Sequence, residues 1–234
     1  MNLRLPIDDW IGSQASDWLE AVAATNYGQA AGLAEETTKV LKGMLRDVDS
    51  GASENQRNGL YMAAIFFRSL WDFAILKQLT GTPGWSREPS KIEEAWIYYW
   101  DCRQRFDASG PTFGGTAVEL VQQGLKETAE WFDRTFGPGV YSSPEILVKK
   151  QVCSICAQDF RACSHILGRL YGGKRCVRVA QGIQPNGMAV ALVTEPLDPR
   201  CRIWPWQREG NHLKGICLMT MFQIDDFLLT EDEY

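Results

Sequence analysis

The chain has 234 residues, of which 45% are hydrophobic, and a formal net charge of −5, so it has the composition of an ordinary globular protein. No uninterrupted apolar run approaches the ~18–20 residues of a membrane span, and the N-terminus lacks the long apolar region of a signal peptide. Seven cysteines, three of them in a metal-binding pattern, favour a reducing compartment over a disulfide framework. We therefore expect a cytoplasmic protein that makes no membrane contact.

The charge is unevenly distributed along the chain. Residues 1–148 carry 13 basic and 20 acidic side chains, residues 149–217 carry 11 basic and 4 acidic ones, and residues 218–234 carry 5 acidic ones and no basic ones. A basic segment between two acidic ones is typical of a nucleic-acid-binding face, and equally of parts of one chain that attract each other. Both interpretations stay open.

The front half has the pattern of a helical bundle. Residues 1–15 are predicted to be an irregular lead, and apolar residues then recur every three or four positions from Ser16 to Leu45, in a helix that Gly28 and Gly32 could divide. Capping boxes predict three further helix starts: Ser53 with Gln56, Ser90 with Glu93, and Thr116 with Glu119. The helix containing Leu60–Leu79 is apolar round much of its circumference, which is typical of a central helix.

The back half has the pattern of short antiparallel strands. After a linker at Gly137–Pro144, alternating apolar residues and turn signals predict strands at Arg175–Val179, Met188–Val193, Arg202–Trp204 and Ile216–Ile224, with a hairpin turn at Pro185-Asn-Gly187. The predicted fold class is α+β. Its domains are a helical bundle (1–140), a zinc-binding β-rich module (141–224) and a frayed acidic tail (225–234).

One motif, Cys153-x2-Cys156 followed by Cys163-x-His165, combines residue types and spacing that predict a zinc site. A Cys-x2-Cys turn brings two thiolates onto one ion, and alternate residues of an extended segment point the same way. Ordinary buried thiols or a disulfide are the alternatives. Because four protein ligands leave no position for water, we expect structural Zn²⁺. Whether Cys176, Cys201 or Cys217 approaches the ion stays open.

The sequence favours a non-catalytic protein. It has only two histidines, and His212 stands alone once His165 binds the metal. The His-x-Glu motif of zinc deaminases does not occur, nor does a phosphate-binding loop or a Gly-x-Ser-x-Gly nucleophile motif.

Two sets of residues are candidates for binding surfaces. Basic side chains beside aromatic ones could neutralise phosphates and stack bases; these candidates are Lys149, Lys150, Arg161, Arg169, Lys174, Arg175 and Arg178. Trp and Arg dominate protein interfaces, which makes Arg202, Trp204 and Trp206 candidates for a docking surface, although they could equally cover the hydrophobic side of the zinc module.

Two resemblances accompany these motifs. With Gly168–Gly173 and Ala191–Pro196, the zinc motif resembles a segment of uncharacterised bacterial and phage-encoded proteins, over Cys153–Pro196 only. It implies a zinc-bound β module attached to unrelated partners, in a phage-related or antiviral setting. The helix at Leu60–Leu79 is weakly similar to HEPN-type helical domains. Their nuclease pair is Arg-x4-His, whereas Arg161 and His165 are spaced Arg-x3-His, so no nuclease activity is implied.

The expected function is therefore a zinc-stabilised, non-catalytic interaction subunit that binds a protein partner in a larger bacterial or phage-related assembly. The alternative is a nucleic-acid-binding subunit that uses the basic module. A hydrolase- or nuclease-related protein with a degenerate or unrecognised active site comes third. The sequence leaves the oligomeric state open.

Overall fold

The computed structural model describes residues 7–47 and 52–204, apart from the side chains of residues 144–146 and 183–188, and the backbone of three further strands. The helices are α1 (Ile7–Ala23), α2 (Tyr27–Asp47), α3 (Glu54–Thr80), α4 (Pro89–Ser109) and α5 (Thr116–Phe136). The strands are β1 (Tyr141–Cys153), β2 (Leu170–Tyr171), β3 (Lys174–Arg175), β4 (Arg178–Val193), β5 (Trp206–Glu209), β6 (His212–Ile216) and β7 (Gln223–Leu228). A helical bundle followed by antiparallel strands confirms the predicted α+β class.

The start of the first helix and the break between the first two helices differ from the prediction. Helix α1 begins at Ile7, so much of the predicted irregular lead is helical. The chain breaks at Thr25, which has a φ of 56°, and the Asn26 side chain then accepts a hydrogen bond from the Gln29 N–H (3.2 Å). An Asn cap before the first turn, rather than Gly28 or Gly32, therefore sets this boundary.

Of the three predicted capping boxes, the first is confirmed. The Ser53 hydroxyl accepts the N–H of Gln56, and the Gln56 side chain accepts the N–H of Ser53 (2.9 Å). Helix α4 begins one residue before Ser90, and Thr116 is the first residue of α5. Ser90 and Thr116 are therefore not N-cap residues, and these two predictions were wrong. Pro89 explains the first shift, because its fixed φ suits the first position of a helix.

Helix α3 is the central helix of the bundle. Phe67, Leu70 and Phe73 on this helix are at most 1% exposed and contact side chains of the neighbouring helices. Its length and apolar composition would also suffice for a membrane span, which the sequence did not predict. However, 61% of its apolar 18-residue stretch is buried inside the protein. Such burial is typical of the core helix of a bundle.

One buried carboxylate ties α3 to α4 and begins a chain of ion pairs toward the strands. Asp72 is fully buried, and its side chain pairs with Arg105 on α4. Burial raises the pKa of Asp72 to about 6, although Arg105 and Arg68 act in the opposite direction. Arg105 also lies 3.6 Å from Asp101, whose other oxygen accepts a hydrogen bond from Arg200 (2.7 Å). The network therefore connects the core to the segment after β4.

The longest strands form a two-stranded ribbon in place of the predicted hairpin. Strand β4 runs through Pro185-Asn-Gly187, and the residues on both sides of this segment pair with β1. Ile146 is paired with Met188 and Val148 with Ile183, so the turn-forming residues occupy an irregularity within one strand. The hairpin prediction was wrong because local turn residues cannot show that both flanking segments share one partner strand.

The other predicted strands also differ from the observed ones. Arg202 makes a single bridge to Tyr141 and belongs to no strand, because Pro199–Cys201 before it forms a 3-10 turn. Strand β7 crosses the predicted boundary at residue 224, and residues 229–234 lie outside the described residues. Val190 and Leu192, which alternate along the predicted strand Met188–Val193, are 69% and 65% exposed.

The strand region also contacts the bundle through a tight turn between β2 and β3. The Gly173 N–H donates to Asn58 Oδ1 on α3 (2.8 Å). A Cβ at Gly173 would lie 2.8 Å from Leu45 Cδ1 and 3.3 Å from the Arg57 carbonyl oxygen. The neighbouring Gly172 also has a positive φ (57°, compared with 79° at Gly173), but a Cβ at Gly172 would have no atom within 4 Å. The turn therefore approaches α2 and α3 closely at one glycine only.

These two glycines give a matched test of this contact. Gly172→Ala should cost about 1 kcal/mol of unfolding free energy, because alanine is strained at positive φ. Gly173→Ala should cost about 1–2 kcal/mol more, because the methyl group also collides with α2 and α3. Urea unfolding of both variants measures the difference. Equal losses would show that the turn does not contact the bundle.

Candidate metal centre

The first two predicted ligands lie on a tight turn at the end of β1. Cys153 is the last residue of β1 and is 1% exposed, and its N–H donates to the Gln158 carbonyl (2.9 Å). The chain reverses through Ala157, which has a φ of 59°. The sulfur of Cys153 accepts a hydrogen bond from the Ile155 N–H (3.4 Å). Backbone N–H groups that point at a sulfur stabilise a thiolate, the form that binds metals.

The second pair lies on the segment that returns from this turn. Phe160 donates its N–H to the Gln151 carbonyl (2.9 Å), which holds the returning chain against β1. Cys163 Sγ then accepts the His165 N–H (3.3 Å) and lies 3.9 Å from His165 Nδ1. The ring of His165 meets Tyr171 edge-on, with centroids 4.6 Å apart. The second pair thus faces the first across a closed turn.

The four predicted ligand residues come together and could hold a metal ion. The ligand atoms of Cys153, Cys156, Cys163 and His165 all lie within 4.8 Å of one another. Burial raises the pKa of Cys153, but hydrogen bonds from the Cys156 and Ile155 N–H groups and from neighbouring thiols outweigh it, so the pKa falls to about 6. The lowered pKa favours the thiolate, the form in which a cysteine binds a metal ion.

Whether Cys176 approaches the ion was left open by the sequence, and the structure places it beside Cys153. Its sulfur lies 3.7 Å from that of Cys153, and its side chain is fully buried. No spacing signal could have found it, because it reaches the centre by way of the β2–β3 hairpin. Cys201 lies elsewhere, where its carbonyl accepts the Ser142 hydroxyl (3.5 Å), and Cys217 lies outside the described residues.

A basic cleft of about 560 Å³ lies beside the metal centre. Its lining comes from β1, the returning segment and the start of β4, and includes four of the seven predicted nucleic-acid-binding residues: Lys149, Lys150, Arg161 and Arg178. Phe160 also lines it, with the guanidinium of Arg178 4.9 Å from its ring centroid. The other three candidates, Arg169, Lys174 and Arg175, do not line this cleft.

The candidate docking residues contact the bundle of their own chain. Trp204 lies edge-on to Phe136 (centroids 5.2 Å apart) and Trp96 (5.9 Å). The Arg202 guanidinium lies 4.6 Å from the Trp204 ring centroid and donates to the Gly137 carbonyl (3.1 Å). These two residues hold the strand region on α4 and α5, and their role as an external interface stays a prediction. The side chain of Trp206 lies outside the described residues.

Comparisons with known proteins add no assignment, since no family model matches the chain and no match is found among curated proteins or solved structures. The two resemblances, to phage-encoded zinc segments and to HEPN-type domains, therefore stay predictions. The same holds for the phage-related or antiviral setting.

Metal removal should affect the two parts of the chain differently. Structural zinc contributes about 10–16 kcal/mol in zinc-finger peptides, whereas the described core of the bundle lies in residues 18–141. Chelation, or Cys153→Ser, should therefore unfold the chain from about residue 150 onward and leave the helices folded. Far-UV circular dichroism and limited proteolysis measure both effects.

Cys201→Ser is the control for this experiment, because it removes a half-buried thiol outside the cluster. It should retain the metal and the protease resistance of the wild type. Loss of the helical signal together with the metal would contradict the expectation that the helices fold without it.

Proposed function

We propose that this protein is a non-catalytic nucleic-acid-binding protein whose basic module is held together by structural zinc. The proposal rests mainly on one observation, which is the cleft beside the metal centre with four cations and one aromatic ring in its lining. The helical bundle serves as the body on which this module is mounted.

The donor set favours zinc as the ion. Three thiolates and an imidazole are soft and borderline ligands, which select zinc over the oxygen-preferring Mg²⁺ and Ca²⁺. Hydrogen bonds from backbone N–H groups to the sulfurs of Cys153 and Cys163 are consistent with thiolates that face a cation. Since a tetrahedral ion would find all its ligands in the protein, the site supports a structural role.

The charge of the cleft favours an anionic ligand. Lys149, Lys150, Arg161 and Arg178 form no ion pair with any side chain that the structure describes. The lining has one carboxylate, Asp159, and one of its oxygens already accepts the N–H of Arg161 (2.9 Å). Several unpaired cations on one concave surface attract a polyanion such as a phosphodiester backbone.

The aromatic ring favours a single strand over a duplex. Phe160 is half-buried between the cations, and Arg178 lies near its ring. A base that is free of its complement can stack on such a ring while the backbone follows the lysines, and this combination is typical of single-strand binding. Duplex bases are already stacked on one another and would offer only their phosphates.

The test is fluorescence anisotropy with single-stranded and duplex DNA and RNA of equal length. We expect the single strand to bind more tightly, with a slope of log affinity against log salt of about −3 for four phosphate contacts. Lys149→Glu combined with Lys150→Glu should weaken binding at least about tenfold. The matched control is Lys174→Glu with Arg175→Glu, which makes the same change of charge outside the cleft and should change affinity less than about threefold.

Two results would count against the proposal. Equal losses in the two double variants would mean that only net charge matters and that the cleft is not the site. No binding of any oligonucleotide at low salt would remove the nucleic-acid function altogether.

A protein-interaction role is the second candidate, and exposed apolar side chains on the ribbon favour it. Val190 and Leu192 project from the same face of β4 and are 69% and 65% exposed, and Leu147 on β1 is 62% exposed. A protein partner that covers this face would remove several apolar side chains from water. In this case the chain is a zinc-stabilised interaction subunit.

The ribbon can be tested by substitution. Val190→Ser with Leu192→Ser should abolish recovery of a protein that co-purifies stoichiometrically with the tagged wild type. Leu197→Ser is the control, because Leu197 is 99% exposed and lies beyond the end of the ribbon. A partner that is retained by the double variant, or lost equally from the control, would exclude this face.

A further inference from the structure

We infer that Cys176 is a ligand of the metal and that the ion is bound by four thiolates, those of Cys153, Cys156, Cys163 and Cys176. His165 then lies beside the ion without binding it. This inference rests on the metal site of the proposed function and changes its ligand set from three sulfurs and one nitrogen to four sulfurs.

The distance between two sulfurs is the first argument. Two thiolates bound at about 2.3 Å to one tetrahedral zinc lie about 3.8 Å apart. Cys153 Sγ and Cys176 Sγ are 3.7 Å apart, and no disulfide joins them. Cys163 Sγ and His165 Nδ1 are 3.9 Å apart, whereas a sulfur and a nitrogen on one zinc would lie closer, at about 3.5–3.6 Å. Cys153 and Cys176 therefore have the separation of two thiolates on one tetrahedral ion.

The backbone around Cys176 is fixed to the ligand turn by a second residue of that turn. The Ser154 N–H donates to the Val177 carbonyl (3.0 Å), and its hydroxyl donates to the Arg175 carbonyl (3.1 Å) and accepts the Val177 N–H (2.9 Å). Three hydrogen bonds thus join Ser154 to Arg175 and Val177, the residues on either side of Cys176. They place the sulfur of Cys176 beside that of Cys153.

The backbone of Cys176 itself forms two further hydrogen bonds. Its N–H donates to the Arg169 carbonyl (2.9 Å), and its carbonyl accepts the Gly168 N–H (2.8 Å). The residue therefore ties the segment after His165 to the start of β4. A thiol fixed on both sides, fully buried and 3.7 Å from the sulfur of Cys153 is in the position of a ligand.

His165 has a different environment. Its side chain is half-buried, and its ring rests edge-on against Tyr171. The Tyr171 hydroxyl in turn accepts the Ile166 N–H (3.0 Å), so the ring occupies a site built from its own segment. A histidine placed in this way can support the turn that carries Cys163 without binding the ion.

The experiment is the absorption spectrum of the Co²⁺-substituted full-length protein, together with a competition titration for Zn²⁺. Sulfur-to-cobalt charge transfer and the position of the ligand-field bands distinguish four sulfurs from three sulfurs and one nitrogen. The wild type should give the four-sulfur spectrum. His165→Ala should keep that spectrum with affinity within about threefold, whereas Cys176→Ala should lose it and bind at least about 100-fold more weakly, since even outer-shell partners of a ligand contribute about 10–100-fold.

The wild-type spectrum alone distinguishes four sulfur ligands from three sulfurs and one nitrogen, even if Cys176→Ala fails to fold. A three-sulfur, one-nitrogen spectrum that disappears in His165→Ala would overturn the assignment of Cys176 and leave the metal site and the proposed function intact. A wild-type protein that binds neither Co²⁺ nor Zn²⁺ would overturn the metal site itself.

Discussion

The segment Pro199–Trp204 lies across α4 and α5 and, together with the β2–β3 turn, attaches the strands to the helices. Trp204 fits among aromatic rings of the bundle, Arg200 pairs with Asp101, and the Trp96 indole donates to the Pro199 carbonyl (2.7 Å). These contacts explain part of the uneven charge distribution along the chain. Arg200 and Arg202 attract the acidic bundle and its aromatic rings, while the cations of the cleft form no ion pair with the described side chains. Attraction between parts of the chain therefore accounts for Arg200 and Arg202, and the nucleic-acid interpretation is a proposal for the cations of the cleft.

The described strand region has almost no apolar core of its own, so a bound metal ion would stabilise it. Among the described residues from 141 onward, the buried hydrophobic ones are Tyr141, Val152, Cys153 and Cys176, and Tyr141 belongs to the core of the bundle. Two of the remaining three are cysteines of the metal centre. Since so little burial cannot offset the conformational entropy of ordering about 60 residues, the ion would supply what a hydrophobic core supplies elsewhere. The bundle, by contrast, buries apolar side chains from all five helices.

Short sequence motifs predicted those structural features that depend only on neighbouring residues. The Ser53 capping box and the Cys153-x2-Cys156 turn each act within a few residues, so their spacing was enough to predict them. The position of Cys176 depends on the β2–β3 hairpin and on Ser154, and the fate of Pro185-Asn-Gly187 depends on a strand about 40 residues away, so spacing could not predict either one. The contact of Trp204 with the bundle was not predicted for the same reason, because its partners lie on α4 and α5, about 70 or more residues earlier in the chain.

The metal centre and the basic cleft are parts of one arrangement. Lys149 and Lys150 lie on β1 within four positions of Cys153, Phe160 and Arg161 lie between Cys156 and Cys163, and Arg178 follows Cys176 by two positions. Each segment that lines the cleft therefore carries, within a few positions, a cysteine that could bind the ion. Binding of the ion would therefore order the cleft, and a nucleic acid bound in the cleft would in turn strengthen metal binding, because the coupling between two sites is reciprocal. Such an ion would influence recognition without contacting the ligand.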